Sequence, residues 1–381
     1  MADRGENCLI AVAGAPTTVT NSTIAGIIEE AGRGEQIADV FGAVAGVQGL
    51  AEGKIVDIGA QKRKTIEGLR RTPGSILAGR HRVMAEGDAS GVIEALSKHN
   101  IGTLFLLGGL PAVGIMRYFM ETAANADYPL LTLGVPLSAE NEVAAGDHTP
   151  GYGSAARFAA TATRDAGCAA ASGEEPLLVL EFLGAQTGWL AASTALARDA
   201  HRPVPHAILV PERPVDIDQL TDELRRAYQK YGYVVAVTTE GAKATNGEAL
   251  HGAALIQTMS QRLGIAGRYE KIGALACVTQ AAVARADADE AYNLGALAVR
   301  LTGDEMSGYM VLVQRDAHGS DRGDRGYRSV EGTARLDQVG ETPRLLPAEY
   351  VSDSGTNVTD AFLDWARPLV GGALPEYVTL S

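Results

Sequence analysis

IGTLFLLGGLPAVGIM (residues 101–116), PLLTLGVPLSAENEV (129–143) and AAGDHTPGYGSAA (144–156) form the stretch on which the reading of this chain turns. It holds two apolar runs, residues 104–107 and 130–135, and each stops at a glycine or proline turn. A short uninterrupted apolar run closed by a turn signal is the pattern of a strand buried on both faces, as in a parallel sheet. Each run then leads into a loop at the carboxyl end of a strand. In open α/β sheets ligands bind outside those ends. Segments 108–112 and 136–151 are therefore the first places to look for chemistry.

Outward from this centre the same alternation continues. Residues 9–12 read as a short strand running into Ala13-Gly14-Ala15-Pro16-Thr17-Thr18, followed by a helix over 21–31 that Thr20 or Asn21 can cap. A strand, a Gly/Pro/Thr loop and a helix N-terminus together can offer backbone N–H groups to a phosphate. The glycine pattern is neither Walker A nor GxGxxG, and in isolation an ordinary βα turn accounts for it. Residues 36–40 predict a strand, 42–52 a helical segment and 89–99 a helix leading into the first central strand. Beyond the centre come a helix at 155–165, a small polar linker at 169–175 and a strand at 177–182 with the loop LGAQTGW (183–189). Strands at 207–210, 234–237 and 309–314 then alternate with helices at 189–198, 218–231, 250–263 and 287–301, and a last helix covers 358–366. Strands alternating with helices in this order predict an α/β fold built on two parallel sheets.

Composition narrows the class. The chain has 381 residues, 46% hydrophobic and 21% charged, with a net charge of −13. That acidity disfavours nucleic acid or an anionic membrane as a partner. No apolar run reaches the ~20 residues that span a bilayer. MADRGENCLIAVAG is not a signal peptide in pattern, and Cys8, Cys168 and Cys277 have no CxxC spacing, so they read as reduced, buried thiols of a cytoplasmic protein. HExxH, zinc-spaced Cys/His, GxSxG and EF-hand patterns are missing. Glu140 and Glu142 lie two apart: in extended chain they face one side and can pair a base with a metal-directed carboxylate, and if the chain turns they are merely solvated. Residues 73–82, with Arg80, His81 and Arg82, read either as a solvated loop or as an anion site. His148 beside Asp147 reads as structural, and residues 318–328 read as an exposed loop.

Taken together the loops resemble the phosphofructokinase superfamily, most closely its pyrophosphate-dependent branch. AVAGAPTTVTNSTIAGII is similar to the family's first phosphate loop, SGGPTxVINxSxxGVI, and TPGSILAGRHR to its TPGSxLGSxR segment. GVPLSAENEVAAGDHTPGYGSAARF resembles GxPKTIDNDxxGTDHTPGFGSAAK, LEFLGAQTGWLAA resembles VEVMGRNAGWLAA, and VVAVTTEGA resembles VVVVSEGA. FLDWARPLVGGALPEY resembles that branch's C-terminal segment. The resemblance implies two Rossmann-like lobes with an active-site cleft between them: 1–150 with the donor loops, 151–310 for the substrate, and 311–381 packing back on both. It implies a homodimer or homotetramer acting on a small molecule.

It also implies a phosphotransferase using Mg²⁺ with ATP or pyrophosphate, in which the protein supplies position, charge neutralisation and a base. Glu140 then stands as the base and Glu142 as a possible metal carboxylate. Gly14, Thr17, Gly108 and Gly109 stand at the donor, and Arg80, Arg82, Gly184 and Glu240 at the substrate. The chain departs from the pattern at defined places. TIDND is Ser138-Ala139-Glu140-Asn141-Glu142, each acid one methylene longer. The metal-loop Asp falls at Leu110, the arginine of MGR at Ala185, and the arginine of the later QR pair at Cys277. Each lost cation removes charged hydrogen bonds worth about 1.5–3 kcal/mol apiece. The expected acceptor is therefore a sugar or polyol hydroxyl other than fructose 6-phosphate in its usual pose. A silent binding or regulatory protein, or a different reaction on the same scaffold, remains the alternative.

Overall fold

Along the first strand, β1 (Asn7–Ala13), successive side chains enter two different cores. Cys8, Ile10 and Val12 pack with Phe105, Leu107, Leu133 and Val135. Leu9, Ala11 and Ala13 pack with Leu104, Leu106, Val113 and Phe119. A strand with a period of two and both faces apolar needs helices above and below it, and it has them. The computed structural model of the chain describes residues 5–78, 84–199, 201–316 and 327–378. These fall into two compact units.

The first unit comprises Met1–Ser138, Glu142–Gly151 and Arg285–Pro343. Its strands after β1 are β2 (Val40–Ala43), β3 (Ile55–Asp57), β4 (Ile101–Gly108), β5 (Leu131–Pro136), and two late in the chain, β10 (Tyr309–Arg315) and β11 (Ser329–Arg335). They form a seven-stranded sheet in the order β11-β10-β5-β4-β1-β2-β3. Pairing is parallel except at the two edges, where β2–β3 and β10–β11 are antiparallel. On one face lie the helices Thr20–Ala31 and Arg285–Thr302. A Cβ on Gly26 would sit 2.1 Å from the Tyr292 carbonyl oxygen, and one on Gly295 2.4 Å from that of Thr23, so these helices meet backbone to backbone. On the other face lie Ala89–Lys98 and Pro111–Asn125.

The second unit comprises Ala139–Asn141, Tyr152–Ala284 and Arg344–Ser381. Its strands β6 (Leu177–Phe182), β7 (Ala207–Ile208), β8 (Val234–Thr239) and β9 (Gly267–Lys271) make an all-parallel sheet in the order β7-β8-β6-β9. The Ala-rich helix Tyr152–Ser172 buries Ala155, Ala156, Ala159, Ala160 and Thr163, spaced as one helical face, and takes up the first four residues of the segment 169–175 expected to be a linker. Trp189 is the centre of an aromatic cluster: its ring lies 4.9 Å from that of Trp365, and Tyr152, Tyr350 and Phe362 complete the packing. The GWLAA, GYGSAA and FLDWA segments are thus joined by packing. Residues 317–326, most of the expected loop at 318–328, lie outside the described residues.

The helix Ile217–Tyr231 shows how local signals set its limits. Asp216 accepts hydrogen bonds from the N–H groups of Asp218 and Gln219, both at 2.9 Å, and Gly232 ends the helix at φ 78°. Replacing such a cap by alanine costs about 1 kcal/mol. Asp216→Ala is expected to lower the unfolding free energy by that amount, read from a denaturant midpoint at unchanged slope.

Candidate functional site

At the carboxyl edge of the first sheet, β1, β4 and β5 are neighbours, so their loops converge. The first loop is largely closed on itself. Thr17 is 2% exposed, its N–H donates to Thr20 Oγ1 at 2.8 Å, and its carbonyl takes the Gly74 N–H at 3.1 Å. The Asn21 N–H, which a bound phosphate would use at the helix start, donates instead to the Gly74 carbonyl at 3.1 Å. What stays open is Gly14, at φ 113° with nothing near its would-be Cβ. Gly108 is needed for a close approach, since a Cβ there would lie 2.2 Å from the Ala13 carbonyl oxygen.

Glu142 reaches into the second loop. Its Oε1 accepts the Leu110 N–H at 3.1 Å and lies 2.5 Å from where Gly109 would carry a Cβ. Leu110 is the residue before the helix Pro111–Asn125, so this carboxylate sits on the positive end of a fifteen-residue helix. The Gly109–Leu110 turn, which has no acid of its own, thus holds one from the neighbouring loop.

Asn141 has φ 55°, so the chain turns between the two acids. Neither is merely solvated as a result. Glu142 belongs to the first unit and Glu140 to the second. Glu140 lies near Cys277, whose thiol is pushed up to about 11 by burial and by the Glu140 charge.

The rest of the 136–151 segment is anchored. Ser138 bridges to Gly151, His148 to Val313, and the Gly151 N–H donates to Asp287 at 2.7 Å. His148 is 3% exposed; its Nδ1 is 3.0 Å from Asp147 and its Nε2 2.8 Å from Glu290. Burial alone would lower its pKa, but the two carboxylates overcome this and raise it to about 9. Arg315 pairs with Asp147, and the Tyr327 hydroxyl donates to Glu290 at 2.7 Å. The histidine is a buried cation in a clamp.

In the second unit the ends of β6, β8 and β9 also converge. The Gly241 N–H donates to the Gly184 carbonyl at 3.2 Å, and Gly184, at φ 147°, has no room for a Cβ beside the Thr187 oxygen. Lys271 Nζ lies 2.9 Å from both Glu181 and Glu240. Those two hydrogen bonds hold the ammonium well above the lysine range, while half of the side chain stays exposed. Glu181 is 3% exposed and also accepts the Gly252 N–H at 2.7 Å. Glu240 is therefore one arm of an ion triad. Arg80 and Arg82 lie outside the described residues.

Residues 7–301 match the family model described as phosphofructokinase. The chain belongs to the phosphofructokinase family. It is similar to a pyrophosphate–fructose 6-phosphate 1-phosphotransferase of Rhodospirillum rubrum, 28% identical over 97% of this chain and 95% of that protein. It is also similar to a sulfofructose kinase of Alkalicoccus urumqiensis, 27% identical over 95% of this chain and 94% of that protein. Among solved structures, a pyrophosphate-dependent phosphofructokinase of Nitrosospira multiformis superimposes with a TM-score of 0.89 at 25% identity, covering 98% of this chain and 94% of that one.

For this phosphofructokinase-family chain the donor set bears on Mg²⁺. Among the described residues no group of three or more His, Cys, Asp or Glu side chains could hold a metal. Mg²⁺ commonly binds through one or two carboxylates together with substrate phosphates. The single carboxylate of Glu142 at the Gly109–Leu110 turn fits that mode and not an all-protein cage. The sequence reading missed Lys271, because GRYEK is polar and shows no strand pattern. The same reading missed the clamp on His148, whose partner Glu290 is 142 positions away. No helix among the described residues is long and apolar enough to cross a membrane.

Proposed function

We propose that this chain moves a phosphoryl group from ATP or pyrophosphate to a hydroxyl of a sugar- or polyol-like small molecule other than fructose 6-phosphate in its usual pose. The observation that carries this reading is the Glu142 carboxylate on the Leu110 N–H, which restores an acid to the donor loop. The names of the relatives support variation in the acceptor, since one is a fructose 6-phosphate phosphotransferase and another a sulfofructose kinase. The loops at Gly14, Gly108 and Gly109 receive the donor. Glu142 would hold Mg²⁺ there, and bound with the donor the metal would offset phosphate charge. Glu140 takes the proton of the acceptor hydroxyl as its oxygen bonds to phosphorus and the bridging P–O bond breaks, releasing ADP or orthophosphate. Gly184 and Glu240, with Lys271, and Arg80 and Arg82 hold the acceptor. A homodimer or homotetramer in the cytoplasm goes with this reading.

Pyrophosphate or ATP with Mg²⁺ is expected to raise the melting temperature, with about 2.7 kcal/mol of stabilisation at a hundredfold excess over Kd. A panel of sugars and polyols then reads turnover. Stabilisation by a donor with no turnover on any acceptor would favour the silent binding protein. Absence of both would sink the phosphotransferase.

A further inference from the structure

The loop after β6, residues 183–188, carries Gly184 and abuts Glu240-Gly241, so its shape decides what the second unit can receive. One end is fixed by the Gly241–Gly184 hydrogen bond at 3.2 Å. The other is fixed from outside the sheet edge. The Gly188 N–H donates to Glu212 Oε1 at 2.9 Å, and the same oxygen takes the Leu346 N–H, also at 2.9 Å. One residue on, the Trp189 indole N–H donates to the Arg344 carbonyl at 2.8 Å, and the Arg344 guanidinium lies 4.8 Å from the Trp189 ring centre. Gly188 has no slack: a Cβ there would lie 2.4 Å from the Val210 Cβ and 2.8 Å from Glu212 Oε2. That second oxygen is buried without a hydrogen-bond partner among the described residues. An unpaired buried carboxyl oxygen costs stability, and the two amide hydrogen bonds that Oε1 accepts from distant segments offset part of that cost.

We propose that Glu212 is a positioning residue for the acceptor loop. Through Gly188 and Leu346 it makes the segment beginning at Arg344 part of the frame that sets Gly184 beside Glu240. The acceptor half of the proposal rests on the phosphotransferase reading; the tether itself does not.

The test compares the full-length wild type, Glu212→Gln and Glu212→Ala by hydrogen exchange and by steady-state kinetics. Glutamine keeps an acceptor oxygen, so it should stay close to wild type in both. Alanine should speed exchange at the Gly188 and Leu346 amides about tenfold or more while β6 amides keep their rates. It should also raise the acceptor KM about tenfold with kcat little changed. Unchanged exchange at the two amides overturns the tether. An equal rise across β6 makes Glu212 a residue of general stability and overturns positioning, as does loosened exchange with an unchanged KM. Wild-type protein with no turnover overturns the functional reading and the acceptor half with it, whereas the exchange pattern decides the tether independently.

Discussion

Glu140→Gln is expected to lower turnover by about 10²–10⁴-fold, the range that a positioned general base contributes. The side chain is half-buried in the second unit, close enough to Cys277 for its charge to help push that thiol up to about 11. Glutamine has the same length and shape, so the loss is confined to the proton acceptor. Initial rates at saturating donor and acceptor, set beside melting curves of both proteins, separate the two effects. A rate within about threefold of wild type at an unchanged melting temperature would remove Glu140 as the base. Glu142→Gln behaves differently. The amide oxygen can still accept the Leu110 N–H, so the helix Pro111–Asn125 keeps its cap. The lost charge should appear as a higher Mg²⁺ requirement.

The parts of the molecule that sequence exposes are those whose stabilisation is local or uniformly apolar. β4, β5 and β6 are buried at nearly every position, and their runs are visible without partners. The helix Ile217–Tyr231 carries its own start and stop in Asp216 and Gly232. β9 is different: GRYEK is polar and partly exposed, and it becomes a strand only because Leu177–Glu181 of β6 pairs with it. That is why Lys271 escaped notice although it is central to the ion triad. β2 lies at Val40–Ala43 rather than 36–40, because pairing of Cys8, Leu9 and Ile10 with Val40, Phe41 and Gly42 sets its limits. The helix Pro111–Asn125 had one usable signal, proline at its first position. The two glutamates show the same boundary within the site. Their spacing left extended and turned chain equally open, and the left-handed conformation at Asn141 decides it. Their destinations, the Leu110 amide and the neighbourhood of Cys277, are long-range facts that spacing does not contain.

The first unit should lose stability as pH rises, and His148 should be the cause. Free histidine titrates near 6.5, and here the pKa is raised to about 9. A raised folded pKa means the proton stabilises the native state. That contribution is complete below pH 6.5 and is lost as pH climbs through 9, on the order of 3 kcal/mol in all. The partners act in the opposite direction. Burial pushes Asp147 and Glu290 up, but hydrogen bonds from His148, with Arg315 on Asp147 and Tyr327 on Glu290, hold both below the usual carboxylate range. Their contribution is present above that range and is lost on acidification. Stability of this unit should thus peak between carboxylate ionisation and pH 6.5. Both tryptophans, Trp189 and Trp365, lie in the second unit, so fluorescence is the wrong probe. Hydrogen exchange of β10 and of the helix Arg285–Thr302 reads the first unit directly. His148→Leu leaves Asp147 and Glu290 buried without their shared cation, and breaking a buried pair this way costs about 3–5 kcal/mol. The variant should be less stable at pH 6.5 and flat from there to pH 9. A variant with the wild-type slope over that interval would show that another group carries the titration.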